Sequence, residues 1–309
     1  MRKAMILAAA ILATACTKQY DSSYDTGVAQ PAYRGEHPRI LVDQAHHNRH
    51  DVDGTYKPFA TLLKNDGYAV ETLTGPVTAA ALSGADLFVI PSALGTDDTN
   101  TEAAFTETEA GVLEAWVRGG GALLLITDHY PFGIAVGNLA QRFGVEMHGG
   151  MTFDPVHHDK SSGDDSQLLF SRENRLLADH PITAGRGGSE RVGRILTFTG
   201  QSLRAPHGTS LLRLSSTAVH RAANPKVTRS GSDVVVTVEF GPPTSAAGWS
   251  QAIALRHGRG RVLILGEAAM ISAQRDGDRR IGINTSGTDG RQFLLNAAHW
   301  LTGMLPAQG

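Results

Sequence analysis

Ala122-Leu123-Leu124-Leu125-Ile126 is a run of five apolar residues with no polar alternation, and it constrains the fold more than any other feature of the chain. A strand of this kind has to be covered on both faces, as in a parallel sheet sandwiched between helices. Weaker signals of the same type recur. They predict a strand over residues 39–43, a helix over 56–66 ended by Gly67, a strand over 68–73, a short helix over 78–83 and an apolar strand over 86–90 stopped by Pro91. A helix over 102–118 has Phe105, Val112, Leu113, Trp116 and Val117 on its apolar side and stops at Gly119-Gly120-Gly121. This β-α-β-α-β alternation predicts a doubly wound, mainly parallel α/β sheet.

Further along, strands over 194–199, 210–214, 234–240 and 250–256 are separated by Gly, Pro and Asn, which predicts a β-rich extension of the sheet, or a small β insertion, over about residues 190–257. A buried-type strand at 261–265 and a closing helix at 290–301 complete one domain, expected over residues 38–305.

The chemistry concentrates at the strand ends. The first strand runs into Asp43, His46, His47 and His50, and the run at 122–126 ends in Asp128-His129. In open α/β sheets ligands bind outside the carboxyl ends of the strands. Imidazoles with one or two carboxylates suit a divalent metal (Zn²⁺, Mn²⁺ or Fe²⁺), so Asp43, His46, His50, Asp128 and His129 form a candidate ligand pool. His47 can replace either neighbour. His157 and His158, in the polar loop 151–166, are additional candidates or an ordinary solvated pair. Glu267 follows the last buried strand and is either a general base or the cap of the next helix. Asp128 and His129 are the other candidate catalytic groups.

Several classes are excluded. No G-x-S-x-G elbow or Walker A run occurs, and Gly258-Arg259-Gly260 precedes a strand, so no nucleotide cofactor is expected. No basic stripe with interleaved aromatics marks a nucleic-acid surface. The chain has 28 Lys and Arg against 30 Asp and Glu, close to balance.

At the N-terminus, Met1-Arg2-Lys3 precedes a short apolar run and Thr14-Ala15-Cys16, a pattern that resembles a bacterial lipoprotein signal. The resemblance implies cleavage after residue 15, lipidation of Cys16 and, with Thr17 following it, an outer-membrane anchor facing the periplasm. Residues 16–37 have no apolar period and are expected to act as a tether. Cys16 is the only cysteine.

Val42-Asp43-Gln44-Ala45-His46-His47-Asn48-Arg49-His50, with Asp53-Gly54-Thr55-Tyr56-Lys57-Pro58-Phe59 and Asp66-Gly67-Tyr68, resembles an uncharacterised bacterial lipoprotein family of the class I glutamine amidotransferase-like superfamily. Gly200-Gln201-Ser202, Gly248-Trp249-Ser250-Gln251 and Gly266-Glu267-Ala268-Ala269-Met270 are similar to it as well. The resemblance implies a flavodoxin-like sandwich but no established reaction. In true amidotransferases a cysteine occupies the turn after a central strand. Here Asp128-His129 stands in that place, so glutamine hydrolysis is not expected.

Together these readings point to an extracytoplasmic metal-dependent hydrolase of a small-molecule or envelope-derived substrate. The alternative is a non-catalytic glycan- or protein-binding module on the same fold. For the anchor, radiolabelled palmitate is expected to enter the wild-type chain in bacterial cells and to be absent from Cys16→Ala; equal labelling of both would remove Cys16 as the attachment point.

Overall fold

The computed structural model describes residues 19–95, 102–230 and 233–307. Cys16 and the signal-like segment lie outside them. The chain is a mixed α/β protein around a nine-stranded sheet. Its elements, in chain order, are β1 (Arg39–Asp43), α1 (Lys57–Asn65), β2 (Ala69–Leu73), β3 (Leu87–Pro91), α2 (Glu107–Arg118), β4 (Ala122–Ile126), β5 (Glu146–Met147), β6 (Leu203–Arg204), β7 (Thr209–Arg213), β8 (Ser250–His257), β9 (Gly260–Leu265) and α3 (Gly290–Leu301). The strand order is β2-β1-β3-β4-β9-β8-β6-β5, with β7 also paired to β8. From β2 to β9 every neighbour is parallel, and β8 turns the sheet antiparallel.

Both faces of the parallel half are covered, as the apolar runs require. Ile40, Val42, Leu124, Ile126, Leu263 and Leu265 pack with α1 and α3, whereas Leu41, Phe88, Ile90, Leu123, Leu125 and Ile264 pack with α2. Successive strand residues thus enter opposite cores, the period-2 geometry of a pleated strand. Thr106 and Glu109 form a reciprocal capping box that starts α2, which satisfies two otherwise orphaned backbone donors.

The structure departs from expectation in three places. Residues 78–83 form turns instead of a helix: Leu82 N–H reaches the Thr78 carbonyl at 3.1 Å, but Gly84 takes φ 72° and the chain leaves the helical path. Helix α2 starts at Glu107 and not at residue 102, since Thr106 caps it; the strand expected over 234–240 pairs with Ala223–Ser230 in a hairpin outside the main sheet, the small β insertion expected as the alternative to a sheet extension. Residues 19–37 are not a loose tether. Gln19–Tyr20 pairs with the strand Ala273–Asp276, and buried Asp21 accepts a hydrogen bond from the Asn284 side chain at 3.0 Å.

Asp66, at the end of α1, fastens this strap. One carboxylate oxygen accepts the Ala32 backbone N–H at 2.9 Å, and the other meets His299 Nε2 of α3 at 2.7 Å, both side chains being almost fully buried. Removing this buried partner strands polar groups on the two segments it joins, the Ala32 N–H and His299 Nε2, so Asp66→Ala is expected to lower stability by roughly 3 kcal/mol or more. A denaturant midpoint measures the loss, and limited proteolysis should then cut within residues 19–33.

Candidate functional site

The carboxyl ends of β1, β3, β4 and β9 share one rim, but their polar groups sort into two clusters. The first is built on β1. Asp43, fully buried, accepts His46 Nδ1 at 2.8 Å on one oxygen and the Asn48 amide at 2.9 Å on the other. The second ring nitrogen of His46 meets Glu109 of α2 at 3.2 Å, and the ring stacks on Phe105 with centroids 4.1 Å apart. Burial works to lower the His46 pKa, but its hydrogen bonds and charge attraction to Asp43 and Glu109 prevail and raise it. Burial likewise opposes ionisation of Glu109, and donors from Thr106, Val77 and His46 still hold its pKa below the usual carboxylate range. The arrangement is an acid–imidazole–acid bridge between β1 and α2, with both ring nitrogens engaged.

The second cluster gathers around Tyr56. β4 and β9 run parallel with Ile126 opposite Leu265, which brings the residues two further on, Asp128 and Glu267, to neighbouring strand ends. Glu267 is fully buried and accepts the backbone N–H groups of Ala269 at 2.6 Å and Met270 at 2.7 Å, with Phe198 N–H as a further donor. It therefore caps the turn Ala269–Ile271, as one of the two sequence readings anticipated. Burial nevertheless dominates, and with the charge of Asp128 beside it the Glu267 pKa is pushed up to about 8. Like charges this close do not both ionise readily. Tyr56, also fully buried, donates to the Ala268 carbonyl at 2.7 Å; burial and the nearby charges of Glu267 and Asp128 push its pKa well above the ordinary value. His50 stacks on Tyr56 with centroids 4.5 Å apart and shares a 2.6 Å hydrogen bond with Thr55.

Asp128 and His129 are the solvent-facing part of this cluster, their side chains 16% and 41% exposed. Nδ1 of His129 lies 2.7 Å from the Tyr130 carbonyl, which accepts only from a protonated nitrogen, so Nε2 is the basic one; it sits 4.0 Å from an Asp128 oxygen. Gln201 holds the strand end in place by donating to the Thr127 hydroxyl at 2.8 Å and the Asp128 carbonyl at 2.7 Å. A Cβ on Gly200 would fall 2.7 Å from that of Glu267, so glycine is what allows this close approach.

The ligand pool expected from the sequence is therefore divided. Asp43 and His46 satisfy each other beneath α2, His50 belongs with Tyr56, and Asp128 and His129 face solvent. Among the described residues no three His, Cys, Asp or Glu side chains come together as a metal's donor set. His47 is exposed with φ 49°. His157 and His158 stay in their own loop, where Asp154 accepts the His157 N–H at 3.0 Å and its carbonyl lies 2.8 Å from His158 Nδ1. Glu109 and Tyr56 were not read as site residues. Thr106-x-x-Glu109 was legible as a cap, whereas the partnership with His46 spans 63 residues and leaves no local trace.

No protein-family model and no curated protein matches the chain. Among solved structures it is similar to the mmIFT52 N-terminal domain, with a TM-score of 0.60 and 14% identity over 85% of this chain and 97% of that one. A ThuA-like protein from Bacteroides uniformis gives 0.43 and 13% over 91% and 95%, and the exo-β-1,4-mannosidase of an Opitutaceae bacterium gives 0.39 and 11% over 88% and 37%. At these identities the first likeness concerns the fold alone.

A carboxyl group whose folded pKa is raised binds more protons in the native than in the unfolded chain between the two values. Stability then falls as pH rises, here from about 4.5 to about 8 for Glu267. His46, also raised, acts in the same direction as pH passes its folded value. Glu267→Gln should shift the baseline, because one backbone N–H loses its acceptor, and should flatten the slope by up to about 1.4 kcal/mol per pH unit. Chemical denaturation at pH 5, 6, 7 and 8 measures it; parallel wild-type and mutant curves would refute a protonated Glu267.

Proposed function

We propose that Asp128, His129 and Glu267 form the acid–base centre of a hydrolase that faces the periplasm on a lipid anchor at Cys16. The observation that carries the reading is the arrival of buried Glu267 and solvent-facing Asp128 at the ends of neighbouring parallel strands, where burial and the charge of Asp128 raise the Glu267 pKa. In this reading the pair holds one proton, and the member open to solvent delivers it.

In this reading His129 Nε2 takes a proton from water, the hydroxide attacks the electrophilic centre, and Asp128 passes the shared proton to the leaving group. Transfer from His129 back to the carboxyl pair then restores the starting state. Glu267 touches no solvent and acts through Asp128, as a positioning and proton-holding residue. A divalent ion, if the protein uses one, has Asp128 and His129 as its accessible donors, since Asp43 and His46 are committed to each other.

The parallel half, with β9 as its fifth strand, has the order 2-1-3-4-5 of flavodoxin-like sheets, whose ligands bind at this edge. That order supports the amidotransferase-like resemblance in the sequence. The absence of cysteine outside Cys16 leaves the thioester chemistry of that superfamily without a nucleophile.

General acid–base catalysis contributes about 10²–10⁴ in rate, so Asp128→Asn is expected to lower kcat on a responsive p-nitrophenyl ester, glycoside or phosphate by at least about 10² with the melting temperature preserved. Activity unchanged in Asp128→Asn overturns the assignment. A wild-type chain with no turnover across the panel, with or without added Zn²⁺ or Mn²⁺, favours the binding-module alternative.

A further inference from the structure

The hairpin formed by Ala273–Asp276 and Arg279–Gly282 places Arg275 directly across from Arg280. Like charges opposite one another on paired strands are destabilising. Both arginines, with Arg194, line a cavity of about 560 Å³. Arg279 and Arg280 line an adjoining one of about 410 Å³, and Asp159, Ser161, Leu196 and Thr285 belong to both, so the two make one cleft.

Four arginines face two carboxylates on the cleft wall, Asp159 and Asp278, and Asp159 also accepts the N–H and hydroxyl of its neighbour Ser161. Asp21 lies 3.9 Å from Arg280 Nε and its charge also acts on Arg275, while its oxygens are hydrogen-bonded by Ser23 and Asn284. Arg279 bonds the neutral Gln167 amide. Among the described residues Arg194, Arg275 and Arg279 have no ion pair, and Arg275 Nε is buried without a hydrogen-bond partner. Four planar forks around one space, two of them forced into register against their own repulsion, are suited to a tetrahedral oxyanion, which guanidinium groups bind bidentately.

We propose that this cleft binds the phosphate or sulfate group of an esterified ligand, with the Ser161 and Thr285 hydroxyls facing the rest of it. Phe198 connects the cleft to the rim, since it lines the wall and its backbone N–H donates to Glu267. The anion would thus anchor a substrate beside the carboxyl pair. That last step rests on the acid–base reading; the binding itself does not.

The test is a thermal-shift titration of the full chain with sodium phosphate and sodium sulfate against sodium chloride at matched ionic strength. Saturable stabilisation by phosphate or sulfate is expected, since a ligand bound only to the native state raises the melting temperature. The stronger of the two names the ester class. Arg275→Gln and, on a separate strand, Arg194→Gln should each weaken binding by roughly tenfold or more. Without anion, Arg275→Gln should melt no earlier than wild type. Asp128→Asn should keep the full anion shift whether or not it loses turnover, which separates failure of this proposal from failure of the catalytic one. No shift beyond chloride, or wild-type affinity in both arginine variants, overturns the cleft; Arg194→Gln decides if Arg275→Gln does not fold.

Discussion

The parallel pairing of β4 with β9 is the constraint on which the rim depends. It joins two strands separated by more than a hundred residues, in a register that sets Ile126 against Leu265 and so carries Asp128 and Glu267 to adjacent ends. Because both strands are covered on both faces, Glu267 enters a region closed to solvent, where its ionised form is costly. Its three backbone donors lower that cost without cancelling it. The raised pKa follows from the register and the two-sided burial together.

The same two-sided burial explains the separation of the polar groups. Alternate residues of a strand face opposite cores, so neighbours in sequence do not have to be neighbours in function. Asp43 and His46 go to Glu109 and Phe105 on the α2 side. Asp128, Glu267 and Tyr56 form a second group, coupled through their charges. The first cluster is closed, with both imidazole nitrogens answered by carboxylates, and serves as a strut between β1 and α2. The second is open through Asp128 and His129, which is why chemistry is assigned to it.

Removing a cap, a strap contact or a charge in this molecule affects more than one element. Asp66 ends α1 while holding both the N-terminal segment and α3. Asp21 lies under the arginine hairpin while being anchored by Asn284. The segment before β1 therefore belongs to the domain, although its composition resembles a linker: few apolar residues are needed when buried acids supply the attachment.

Local pattern was enough to place most of the parallel half. Continuous apolar runs located β1, β3, β4 and β9, the glycine run ended α2, although its start was expected at residue 102 and lies at Glu107, and the 3.6-residue period marked α3, because each depends on residues close together in the chain. The same was true of the strand ends, where Asp43, Asp128 and Glu267 stood out. What the sequence could not decide was which ends meet which. His46 and His129 look equivalent as text, but pleating, strand order and the approach of α2 send one into a closed bridge and leave the other at the surface. That Arg275 and Arg280 stand face to face likewise follows only from hairpin register. Such facts rest on long-range pairing and burial, which no local window of residues contains.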